Sequence, residues 1–148
     1  MSAGYGGKRF EFLEHTADVY IAAYGGDLCE AFENAALAMF ETMTDTVDVR
    51  REREDIVEVE GEDLESLLYN WLENLLVKFE VENMLYSEFN VLSIERYDGK
   101  LRLKAKIYGE PFDPERHKQK VGIKAVTYHR MEVNETSEGI TLKFILDI

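Results

Sequence analysis

The stretch DLESLLYNWLENLLVKF, residues 63–79, decides the architecture. Leu64, Leu67, Leu68, Trp71, Leu72, Leu75, Leu76 and Phe79 recur at three- and four-residue intervals, so one face of a helix is apolar while Glu65, Asn70, Glu73 and Lys78 fall elsewhere. Asp63 stands where an N-cap belongs, its carboxylate available to the unbonded amides of the first turn. A helix with one apolar stripe needs a surface to bury it, and the remainder of the chain must supply that surface.

Working outward toward the N-terminus, Asp27 followed three residues later by Glu30 marks a second helix start after Gly25 and Gly26. Leu28, Ala31, Phe32, Ala35, Ala36, Met39, Phe40 and Met43 place its buried face. Ahead of it, Phe10 and Phe12 alternate with Arg9 and Glu11, and Val19 to Tyr24 forms another extended run, with a polar corner at Glu14 to Thr16 between them. Residues 1–8, with Gly4, Gly6 and Gly7, lack an apolar period and are expected to form a flexible tail before a domain spanning 9–148.

Between the helices Ile56 to Val59 alternates like a strand. From Asn90 the chain turns mostly β: Leu101, Leu103, Ala105 and Ile107 alternate with Arg102, Lys104 and Lys106 behind an Asp98-Gly99 hairpin turn. Pro111 and Pro114 bracket a loop, after which Ile123 to His129, Met131 to Asn134 and Ile140 to Ile148 read as extended. The expectation is a single α+β domain, two amphipathic helices packed on a mixed or mostly antiparallel β-sheet, with strand order left open.

Composition narrows function. With 148 residues and 45% hydrophobic content the chain can bury one core. The net charge of −13 repels polyanions, so strong direct nucleic-acid binding and attraction to anionic lipid are not expected, whereas a basic protein partner or a cation fits. A lone Cys29 cannot form an internal disulfide, and with no secretory leader or long apolar run the expected location is the cytoplasm, away from membranes. Cys29 reads as a small buried hydrophobe rather than a nucleophile. Phosphate-loop and nucleophile-elbow spacings are missing.

Two places could carry chemistry. His15 and Asp18 lie in the corner between the first two strands, and Asp147 stands beside the carboxylate of Ile148. Oxygen donors from Asp18, Asp147 and Ile148, with His15 biasing the site away from pure magnesium, suit a divalent cation. The alternative keeps Asp18 as a turn cap, His15 as a packed side chain and Asp147 as an exposed terminal residue. The second place is the basic segment Arg116, His117, Lys118, Lys120 and Lys124, which attracts an anionic partner or is a solvated loop; without interleaved aromatics it is not a nucleic-acid stacking surface.

His15-Thr-Ala-Asp18-Val19, Gly26-Asp27-Leu28 with Ala31-Phe32, Met43-Thr-Asp45, Asp63-Leu-Glu-Ser-Leu-Leu68 with Trp71-Leu72, Lys124-Ala-Val-Thr-Tyr-His129 and the closing Asp147-Ile148 together resemble the archease family, in order from Phe10 to the last residue. That resemblance implies a non-enzymatic accessory protein for the GTP-dependent RNA ligase of tRNA splicing, promoting guanylylation of the ligase histidine and repeated turnover. It also implies a divalent metal, calcium first and manganese or magnesium otherwise, at residues matching Asp18 and Asp147. Contacts of His117 and Lys124 with the ligase or a nucleotide are expected from their family-typical positions. A tRNA methyltransferase as a further partner, served in a chaperone-like way, and a free-standing metal-dependent phosphoesterase using His15 or His129 as base are the alternatives.

Overall fold

A computed structural model of the chain describes residues 7–13 and 17–148. The expected tail therefore falls outside the described residues except for Gly7 and Lys8, and His15 falls outside them altogether. In chain order the elements are β1 (Phe10–Leu13), β2 (Val19–Gly25), α1 (Leu28–Met43), a 3-10 turn (Thr46–Asp48), β3 (Arg53–Gly61), α2 (Leu64–Glu82), β4 (Met84–Tyr97), β5 (Lys100–Pro111), β6 (Ala125–Val126), β7 (Glu132–Thr136) and β8 (Gly139–Asp147).

Both helices begin where the caps put them. The Asp27 side chain accepts from the Glu30 amide at 2.8 Å while Glu30 reaches back to the Gly26 amide at 2.6 Å. Asp63 accepts from the Ser66 amide at 2.8 Å, and the Ser66 hydroxyl closes a reciprocal box with the Asp63 amide. α2 stops at Asn83, which takes a left-handed conformation with φ of 58°. β4 starts on the next residue, earlier than the extended pattern from Asn90 foretells.

The strands make two antiparallel sheets instead of one: β1-β2-β8-β6 with β7 also on β8, and β3-β5-β4. The division follows from α1. Its buried residues include Asn34, Leu37, Ala38 and Thr42 as well as the expected stripe from Ala31 to Met43, so it is enclosed on nearly every side, while Leu28 is only partly buried. A helix apolar around most of its circumference needs more than one surface, and its alanines let β2 and β4 approach closely. α2 keeps a single stripe, with Leu67, Leu68, Trp71, Leu72, Leu75 and Leu76 buried, and covers β3 and β5. The buried Trp71 donates its indole N–H to the Phe32 carbonyl at 2.9 Å, tying α2 to α1, and Phe40, Tyr86 and Phe89 join it in an aromatic cluster. Cys29, in the first turn of α1, is only partly buried, contrary to the expectation of a core residue. Among the described residues no helix is long and apolar enough to cross a membrane.

Candidate functional site

The register of β2 on β8 determines what meets at one end of the larger sheet. Seven consecutive antiparallel pairs run from Gly25 with Ile140 to Val19 with Leu146. Asp18 precedes that final pair on one strand and Asp147 follows it on the other, so residues 129 positions apart in sequence share one end of the ladder. Strand β6 lies on the other side of β8, with Ala125 opposite Asp147, and the Lys124 amide donates to the Asp147 carbonyl at 2.7 Å. The main chain of Asp147 is thus held from the side, while its side chain is exposed at the end of the strand. Ile148 is 37% exposed, Lys124 is exposed and Asp18 is half-buried.

Asp18 and Asp147 carry carboxylates, hard oxygen donors of the kind calcium, magnesium and manganese take. Among the described residues no group of three or more His, Cys, Asp and Glu side chains could hold a metal by itself. The donor set is chemically suited to a hard cation and numerically partial, since such a cation takes six or more oxygens.

His117, read from the sequence as a partner contact, turns inward. It is 2% exposed. Its Nδ1 accepts the Asp113 amide at 2.9 Å, which leaves the proton on Nε2, 2.8 Å from Glu110. Glu110 is 3% exposed and also accepts from the Arg50 amide at 2.7 Å and from the Arg116 guanidinium. Burial alone would push the Glu110 carboxyl up; the bonds from Arg116, Arg50 and His117 outweigh it and hold the group at about 2. The basic segment is therefore split: Arg116 and His117 latch the loop to β5, whereas Lys118 and Lys124 remain exposed. Nothing in local spacing singles out Glu110; the signal is an acidic residue at the end of an otherwise cationic strand, next to Pro111.

The segment around Tyr128 carries another feature that periodicity does not disclose. Tyr128 is 53% exposed and stacks in parallel on Tyr69 of α2, with ring centroids 4.3 Å apart. Arg130, at φ of 56°, lies over the ring of Tyr20. His129 between them is exposed.

Comparison with known proteins agrees with the fold. Residues 10–148 match the model of the Archease protein family. The chain belongs to the archease family. An archease from Sulfurisphaera tokodaii is 48% identical over 141 residues, covering 95% of this chain and 99% of the relative, and one from Pyrococcus abyssi is 48% identical over 132 residues, covering 89% and 92%. The solution structure of Methanobacterium thermoautotrophicum protein 1598 superposes with a TM-score of 0.84 at 46% identity, covering 95% of this chain and 99% of that one. A crystal structure from Thermotoga maritima, described as an archease and possible chaperone, has a TM-score of 0.58 at 19% identity, over 93% and 96% of the two chains, and shares the fold.

Proposed function

We propose that this archease is a metal-binding accessory protein that activates the GTP-dependent tRNA-splicing RNA ligase, promoting guanylylation of the ligase histidine and multiple turnover without catalysing a reaction of its own. The observation that carries the reading is the shared end of β2 and β8, where Asp18 and Asp147 stand on neighbouring strands. A divalent cation there would supply positive charge for the phosphates of a nucleotide in the ligase active site. The chain's own part is to hold the donors: the Lys124 amide fixes the Asp147 backbone. Because the described donors are too few to saturate a cation, the remaining ligands come from Ile148, water, His15 or the ligase with its nucleotide. The net charge of −13 favours approach to a basic, RNA-binding partner.

The test is a single-turnover guanylylation assay with ligase, GTP and calcium, manganese or magnesium, in the presence of Asp18→Asn, Asp147→Asn or unaltered protein. Both variants are expected to fold normally and to lose most of the stimulation. Unchanged stimulation by both would refute the site, and turnover of phosphoesters by the isolated protein with manganese would favour the hydrolase alternative.

A further inference from the structure

A cleft of about 310 Å³ lies where α1 ends, away from the carboxylates just described. Its walls come from Met43 at the end of α1 and Thr44 just after it, Phe79 in the last turns of α2, Leu85 at the start of β4, and Phe112 with the segment from Lys118 to Gly122. The segment is fixed in place: the Lys120 amide donates to the Met43 carbonyl at 3.0 Å, and the Val121 amide to Thr42 at 3.2 Å. Phe112 is anchored through its amide to the Asn83 carbonyl at 2.8 Å and meets the Phe79 ring edge-on at 6.1 Å.

Two polar features interrupt the apolar lining. Thr44 is 1% exposed, and its hydroxyl meets no hydrogen-bonding partner among the described residues. A buried hydroxyl is ordinarily bonded, so one left over beside a cleft calls for a ligand atom. At the rim, Lys120 is neutralised by Glu41 at 3.1 Å and Asp45 at 3.5 Å, whereas Lys118 lies within ion-pair distance of no carboxylate among the described residues. The volume selects the size: a dry cavity of about 150 Å³ takes one benzene ring, so twice that space suits two fused rings. The flanking phenyl rings favour an aromatic guest. A nucleotide triphosphate, with its several charges, would find a single unpaired ammonium.

We propose that this cleft binds a planar, two-ring aromatic carboxylate, with a ring N–H donated to the Thr44 hydroxyl, the rings against Phe79 and Phe112, and the carboxylate facing Lys118. The inference is independent of the ligase reading, since it shares no residue with the Asp18 and Asp147 end.

The probe is indole-3-acetate, titrated into the full chain by calorimetry and by amide chemical shifts. Saturable binding is expected, with shifts concentrated at Thr44, Phe112 and Gly122. 1-Naphthaleneacetate, which lacks the ring N–H, should bind about tenfold more weakly, the value of one buried hydrogen bond. Phenylacetate should bind more weakly still, and tryptamine, with a cation in place of the carboxylate, not detectably. Thr44→Val should erase the preference for the indole while leaving the melting temperature unchanged or higher, because the hydroxyl bonds nothing in the fold; Thr44→Ser should retain the preference. Lys118→Ala should weaken both two-ring acids alike. Absence of saturable binding, equal binding of tryptamine, shifts centred elsewhere, or an indole preference that survives Thr44→Val would overturn the proposal.

Discussion

Replacing Glu110 with glutamine tests whether the latch between β5 and the 112–124 loop stabilises the fold through charge. The carboxylate accepts three sets of donors at once, from Arg116, the Arg50 amide and His117, and glutamine turns part of that acceptor into a donor facing them. The carboxyl is lowered from 4.5 to about 2, and each unit corresponds to about 1.4 kcal/mol, so ionised Glu110 contributes about 3 kcal/mol. The sign is that of a depressed acid: the contribution is complete above the unfolded value near 4.5 and disappears as pH falls through the folded value near 2. Urea unfolding of parent and Glu110→Gln should therefore differ by about 3 kcal/mol at pH 7, with the gap narrowing steadily below pH ~4.5. Reading the difference rather than the absolute stability removes the general acid unfolding of a chain with 30 acidic residues. A gap under about 1 kcal/mol at neutral pH, or one that persists undiminished near pH 2.5, would refute the charge-latch account.

Glu33 should behave in the opposite way. Burial raises its carboxyl, and its Oε2 accepts the Val91 amide freed by the bulge in β4, so its contribution falls as pH rises through 4.5 and above; Glu33→Gln, which preserves an acceptor, should match or exceed the parent in denaturation at pH 7 and lose any advantage in acid. Gly109 faces Tyr86 beside the first β4 bulge, and an added Cβ would sit 1.8 Å from the Leu85 carbonyl oxygen; Gly109→Ala should cost at least about 3 kcal/mol in thermal or urea unfolding, or prevent folding, and a near-neutral result would mean that the bulge relaxes freely.

What could be read in advance follows the range of the interactions involved. The helices were legible because caps and stripes are local: Asp27 with Glu30, Asp63 at the N-cap of α2, and leucines one turn apart. The end of α2 was not anticipated, although Asn83 marks it, since asparagine tolerates the left-handed turn that releases β4 at Met84. The second sheet was hidden because residues of α1 outside its strongest stripe, Ala38 and Asn34 among them, say nothing about burial until a neighbour is known; Asn34 is buried only because Tyr24 and Arg9 satisfy both ends of its amide. His117 shows the same limit more sharply. In sequence it belongs to a basic run, and its inward turn depends on an acceptor seven residues away that is itself bonded to an amide sixty residues away.

The Asp18 and Asp147 end occupies an intermediate position between these cases. Alternation fixes which residues of β2 and β8 join the main hydrophobic cluster, Ile21 and Ala23 on one strand and Leu142, Phe144 and Leu146 on the other, so a shift by one residue would turn Leu146 and Phe144 away from it. Hydrophobic packing therefore sets the register, and the register carries the two carboxylates to the same end without any attraction between them. The proposed cation therefore plays no part in placing the two residues: the pairing of β2 with β8 does so by itself. The location of the pair is thus determined by Ile21, Leu142, Phe144 and Leu146, residues buried in the core.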